Sequence, residues 1–356
     1  MLKDKLLAIQ NKAKERTVKT QNIEYDLETI VKKITKGVIK LNPEYQRKHR
    51  WTEEYSSRLI ESLILNIPVP LIYISQDIDV DEEVHEDIAR YSVIDGQQRL
   101  TAIYNFLTNQ STLVGLEVLD DLNGLKYNQL PPFLIRRLEE RTIRCLRIDS
   151  TIDSQVKYDI FERLNSGSVK LEPQELRNAT CRGAFKDLIK ELVKVQSFIN
   201  ATSLSQSRIE KMEDEELVLR YFALSYKDGY KSYKGSFKNF LTIKMNEFNG
   251  FDSKELDFMK NNFIKSFKIL ENSKINLPFS KFKSENKKLE NMSHFNVAVY
   301  DSLIVPLSKM KESHILDIND FRALFHDVEY FRTVEGSTND VSKVNLRIDK
   351  AIEALL

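Results

Sequence analysis

Cysteine is almost missing from this chain. Cys145 and Cys181 are the only two in 356 residues, and neither has a second ligand at metal-site spacing. That argues against a disulfide framework and a zinc site, and suits a reducing cytoplasm. Long apolar runs are missing too: none approaches the roughly eighteen residues of a membrane span. The opening "MLKDKLLAIQNKAKER" is charged throughout and has no apolar core of a signal peptide. Nor is there a dominant charge. Lys and Arg number 54 against 53 Asp and Glu, a net +1, so no global field draws the chain to DNA or membrane. Histidines are few, at 49, 85, 294, 314 and 326, without a paired or His-Asn-His-like arrangement. Ser-His-Asp and Cys-His patterns are absent as well, leaving no second catalytic centre and no nuclease centre to assign.

What is present is an ordinary globular composition, 41% hydrophobic and 30% charged, and long enough for two domains. Charge is uneven along it. Residues 1–50 hold 13 Lys/Arg against 6 Asp/Glu, and residues 51–100 hold 3 against 11. The basic start suits a solvated face or contact with a nucleic-acid backbone. "DIDVDEEVHED" (77–87) is strongly acidic but lacks the glycine and ligand order of a calcium loop, so it reads as a solvated connector.

Periodicity predicts helices over 2–16 and 26–39 and a third capped by Thr52. Strands are predicted at 70–75, 90–95 and 142–148, with a helix over 97–108 and a short one after Pro131-Pro132. Helix is further expected over 153–168, and Pro173 starts the next one. Beyond about residue 200 no β-like run stands out, and helices are expected at 213–226, 236–248, 254–272, 294–311, 317–329 and 341–355. The expected fold is α+β: a domain of residues 1–200 with a small mixed sheet and surrounding helices, then an all-helical domain of 201–356.

Three polar segments carry the chemistry. In "YSVIDGQQRLTAIYNFL" (91–107) a strand turns into a helix through Asp95-Gly96. The helix start offers backbone amides and a positive dipole end to an anion. Gly96 allows close approach of a ligand, and Arg99 adds a forked charge suited to phosphate. Gln97 and Gln98 offer uncharged contacts, and Asp95 is a candidate to hold magnesium or orient a water. The other reading is plain turn chemistry, with Asp95 capping the helix and the glutamines tying loops. "PEYQRKHRW" (43–51) mixes aromatic surface with Gln46 and Arg47 donors, or leads into the next helix with Trp51 as a staple. In "FERLNSGSVKLEPQELRNA" (161–179), Arg163 and Asn165 end a helix beside a polar turn with room for an anion, or form an ordinary cap.

In this order and spacing, "NPEYQRKHRW", "VIDGQQRLTAIYNFL" and "FERLNSGSVKLEPQELRNATCRGAF" closely resemble the N-terminal domain family of GmrSD-type, modification-dependent restriction endonucleases. "DEELVLRYFAL" (214–224) and "VSKVNLRIDKAIEAL" are similar to family segments as well. The resemblance implies a ParB/sulfiredoxin-like nucleotide-binding fold. It also implies binding, and often hydrolysis, of nucleoside triphosphate at the Asp-Gly-Gln-Gln-Arg turn, which in some members controls a nuclease in defence against phage DNA. Gln46, Arg47, Asp95, Gly96, Gln97, Gln98, Arg99 and Asn165 match its motifs. The expectation is therefore a Mg2+-dependent nucleoside triphosphatase of unspecified base. Asp95 and Gln97 are its candidate catalytic residues, and Asp95 also its metal ligand. Gln46, Arg47, Gly96, Gln98, Arg99, Arg163 and Asn165 are expected to bind nucleotide. Expected partners are nucleotide, DNA and a separate nuclease or effector subunit, with no membrane. The alternative is a non-hydrolysing, ParB-like nucleotide- or DNA-binding module.

Overall fold

The strands begin with β1 (Thr20–Asp26), whose mostly exposed residues suit a sheet edge, and continue through β2 (Ile39–Lys40), β3 (Ile72–Gln76), β4 (Tyr91–Asp95) and β5 (Thr142–Ile148). They form one mixed sheet in the order β1-β5-β3-β4-β2. The pairs β1–β5 and β3–β4 are antiparallel, and β3–β5 and β2–β4 are parallel. The inner strands bury Ile72, Ile74, Val93 and Ile94, as strands with neighbours on both sides do. This computed structural model describes residues 19–41, 51–76, 91–148, 158–160, 162–163, 172–181, 183–285 and 288–356. The expected helix over 2–16, most of the 43–51 segment and the acidic 77–87 connector lie outside them.

The helices that accompany the sheet include α1 (Leu27–Thr35), α2 (Glu53–Ile64), α3 (Gln97–Leu107) and α4 (Pro132–Glu139). Their starts follow from local chemistry. Asp26 accepts the Thr29 amide at 2.6 Å, and Thr52 accepts that of Tyr55 at 3.3 Å, which satisfies first-turn donors. Pro132 opens α4, where its missing N–H costs nothing. The apolar faces of these helices join the sheet in one core that includes Leu27, Leu63, Ile74, Ile103, Phe106 and Cys145. Within α2, Glu61 turns inward and its carboxylate accepts the amides of Val118 and Leu119 at 2.9 and 2.8 Å. Ser57, one turn earlier, accepts the Val114 amide at 3.0 Å, so α2 pins the 114–119 loop.

The chain divides into units 1–171 and 172–356, so the helical part begins about thirty residues earlier than the expected boundary at 200. The physical reason is burial. Helices α5 (Pro173–Thr180), α6 (Ala184–Leu192) and α7 (Gln196–Thr202) lead into a core that takes Phe185, Leu188, Leu192 and Phe198 together with residues as distant as Leu355. The unit continues with α8 (Gln206–Ile209), α9 (Glu213–Ser225), α10 (Phe237–Asn249), α11 (Ser253–Asn272), α12 (Val297–Lys309), α13 (Ile318–Ala323), α14 (Val328–Thr333) and α15 (Val341–Leu355). Every residue of α12 from Ala298 to Ser308 is buried, including Asp301.

Two further features of this unit differ from expectation. The unit contains a hairpin, β6 (Lys281–Glu285) with β7 (Lys288–Ser293), whose Lys- and Glu-rich strands hide the period-two signal; Phe282 and Leu289 pack on the core. The helix expected over 317–329 is broken, because Asp327 caps a new one by accepting the Glu329 and Tyr330 amides at 2.8 and 3.2 Å. Among the described residues no helix is long and apolar enough to cross a membrane.

Candidate functional site

The strand β4 ends irregularly. Ile74 pairs with Val93 but Tyr73 pairs with Asp95, so β4 carries one extra residue at this point. Such a bulge re-aims the side chains beside it, and here it sets the direction of Asp95. Gly96 follows with φ +94°, ψ 11°, a left-handed turn that costs glycine little and other residues about 1–2 kcal/mol. A Cβ at Gly96 would lie 2.3 Å from Cδ1 of Ile72. On the side a Cβ would occupy, the space at Gly96 is taken by Ile72. Gly96 is also the N-cap of α3 and brings no side chain to its first-turn amides.

Arg99 stands in that first turn, four residues beyond Asp95. Its Nη2 donates to Asp95 Oδ2 at 2.8 Å, while Nη1 donates to the carbonyls of Pro70 and Leu71, the latter at 3.2 Å. The Arg99 side chain is 11% exposed and that of Asp95 34%. Burial lowers the guanidinium below its usual range, and the charge of Asp95 offsets part of that. Arg99 was expected to bind phosphate; in this structure its guanidinium is engaged by these protein contacts. Its charge faces Asp95 and its donors hold the end of β4 to the segment entering β3. Arg99 is a positioning residue. Asp95 uses Oδ2 for this pair, and its carboxylate stays partly exposed.

The two glutamines separate. Gln97 is buried, with 9% exposure, whereas Gln98 is half-buried and its Oε1 lies 3.5 Å from the Trp51 backbone nitrogen. Arg163 is exposed on the helical stretch 162–163. Gln46, Arg47 and Asn165 lie outside the described residues. The structure thus brings Asp95, Gly96, Gln97, Gln98 and Arg99 together at one turn, with Trp51 beside them. Both cysteines are buried and free, and burial pushes the Cys145 thiol up to about 12, so it is no nucleophile at neutral pH. Among the described residues no three His, Cys, Asp or Glu side chains gather as a metal site.

A second polar assembly, not foreseen in the sequence, lies within the helical unit. Arg177 of α5 bonds Glu216 of α9, whose other oxygen is 3.4 Å from Arg220. Arg220 grips Asp301 of α12 with two bonds of 2.9 and 2.8 Å, and Arg347 of α15 meets the same carboxylate at 2.8 Å. Asp301, Arg177 and Arg347 have no exposed side-chain surface. Burial alone would lower both Asp301-bound arginines. Asp301 reverses this for Arg220, which ends raised, but not for Arg347, which ends lowered. One signal was available: an aspartate inside "VAVYDSLIV" needs a buried partner.

No curated protein matches the chain. Residues 27–181, which contain the β4–α3 turn and α5, match the family model of the GmrSD restriction endonuclease, N-terminal domain, and this part of the chain belongs to that family.

Proposed function

We propose that the β4–α3 turn binds a nucleoside triphosphate together with Mg2+, hydrolyses it, and thereby regulates a DNA-restriction or anti-phage activity carried out with a separate nuclease or effector. One observation carries the reading. The eleven-residue helix α3 starts at an N-cap without a capping side chain, and the carboxylate of Asp95 is fixed beside that start by Arg99. Family membership supports the restriction context.

Charge selects the form of the ligand. The helix end supplies about half a positive charge. The Asp95–Arg99 pair adds close to none, because its two charges oppose each other at 2.8 Å. A bare triphosphate would meet the Asp95 carboxylate unfavourably, whereas a metal complex would meet it favourably. Asp95 is a partly exposed carboxylate, and among the described residues no group of three or more His, Cys, Asp or Glu side chains gathers as a metal site. That fits Mg2+, which commonly takes one or two carboxylates and fills its shell with phosphate oxygens and water. When bound, Mg2+ would neutralise phosphate charge and polarise the transferred group. The chain's own contribution is to hold the phosphates against the α3 amides and to keep Asp95 in one rotamer through Arg99.

A second reading, nucleotide as a conformational ligand without turnover, is favoured by the commitment of Arg99. With that charge paired to Asp95, Arg99 meets charge developing on the phosphoryl group less well.

The deciding measurement is thermal stability and calorimetry with ATP, GTP, CTP and UTP, each with Mg2+ or with EDTA, followed by phosphate release. Ligand at a hundred times its Kd should add about 2.7 kcal/mol of stability. Loss of binding in EDTA is expected. Failure of all four nucleotides with Mg2+ would sink the proposal, and binding without phosphate release would select the second reading.

A further inference from the structure

A cavity of about 300 Å3 opens between α2, α3 and the 110–113 segment. Its wall has an unusual composition for a core gap. Half-buried Trp51, the amide side chains of Asn105 and Gln110, and apolar Ile60 and Phe106 are among the residues that line the cavity. Among the described residues no lysine or arginine lines it, and Glu53 is the one charged group of those that do. This wall is unsuited to phosphate and suited to an uncharged ring with polar edges. Tryptophan offers a face for stacking. Asn and Gln each present a donor and an acceptor side by side, the pattern that reads a nucleobase edge in pairs. The volume lies at the lower end of ligand pockets, enough for a base with its sugar but not for a large cofactor.

Its position bears on the turn described above. Gln98, Thr101 and Asn105 follow one another at helical spacing on α3, and Gln98 lies 3.5 Å from the backbone of Trp51. The cavity therefore begins about one turn from the helix start and runs for about another, roughly 6 to 12 Å at 1.5 Å per residue. We infer that this cavity is the nucleobase seat of the ligand whose phosphates the α3 start receives: Trp51 stacks on the base, and Asn105 and Gln110 bond its edge. The inference rests on the nucleotide reading of the turn, which concerns the phosphates alone.

The chain carries a single tryptophan, so its fluorescence reports on this wall without mutation. Adenosine, guanosine, cytidine and uridine, which lack phosphate, are titrated against the full chain, with ribose as control. Magnesium tripolyphosphate, which lacks the base, is titrated separately by calorimetry. At least one nucleoside should change Trp51 emission saturably where ribose does not, and Asn105→Ala should weaken that nucleoside by about tenfold while leaving tripolyphosphate binding within twofold. Absence of a saturable response to all four nucleosides overturns the base seat. So does an unchanged affinity in the Asn105→Ala, Gln110→Ala double variant whose unfolding midpoint matches the parent. The two readings fail separately. Tripolyphosphate binding without a nucleoside response removes the seat and keeps the turn, and a nucleoside response without tripolyphosphate binding does the reverse.

Discussion

Arg99 and Asp95 are joined across the start of α3 by a 2.8 Å bond, and the same guanidinium closes on the carbonyls of Pro70 and Leu71. The arginine of the Gln-Gln-Arg turn therefore works on the protein before it works on any ligand. Three acceptors from two strand ends depend on it. This separates what the residue does for folding from what the turn does for a nucleotide, and the two are testable apart.

Arg99→Ala should destabilise the first unit by about 2–3 kcal/mol, since it leaves a carboxylate and two carbonyls without their donor. Urea unfolding with an unchanged m-value would register it. Asp95→Asn keeps an acceptor for Arg99 and should cost about 1 kcal/mol or less. Under the proposed function the aspartate change lowers turnover and Mg2+ dependence far more than it lowers stability. Equal phosphate release by Asp95→Asn and the parent would leave the turn as scaffold only.

Gly96→Ala should cost about 2 kcal/mol or more, combining a left-handed backbone with contact against Cδ1 of Ile72. Valine lacks that atom. The same glycine substitution should thus cost less in an Ile72→Val background, and the non-additivity isolates the steric part from the backbone part. Strict additivity of the two changes would refute the contact.

Glu61 links stability to pH. Burial raises its carboxyl, and the amides of Leu119, Val118 and Glu117 more than reverse this, leaving it below the ordinary value. A lowered folded-state pKa gives stability that is complete above the unfolded value of about 4.3 and is lost as pH falls through the folded one. Glu61→Gln should accordingly lower the unfolding midpoint at pH 7 and narrow its gap from the parent as pH drops below about 4. A gap that stays constant with pH would show that the loop does not rely on the charge.

Asp301→Asn should cost about 3–5 kcal/mol, because two buried guanidinium groups lose their anion at once. Arg347→Met should cost less, since Asp301 keeps both bonds from Arg220. Denaturation of the two variants side by side checks the order, and the reverse order would mean that Arg347, not Asp301, anchors the cluster.

The strand–turn–helix of the candidate site was legible because its signals are local: a β-rich run, Asp95-Gly96, then apolar residues at helical spacing. Pro173 and Thr52 declared helix starts for the same reason. The role of Arg99 was not legible. Its partners include carbonyls 28 and 29 residues away, and nothing in a side-chain pattern says where a distant carbonyl points. The extent of the helical unit was hidden likewise, since the apolar face of α6 shows that it is buried but not in which core. The hairpin at 281–293 has too few apolar positions to reveal its period.

The family match ends at residue 181, while α5 belongs to the helical unit and Arg177 within it is bonded to Glu216. A chain shortened to the matched stretch would carry away a helix stripped of its counter-ion, with a fully buried guanidinium laid open to water. Exchange of this domain between relatives has a natural joint after Leu171, and a splice at 181 would part a charge from its mate.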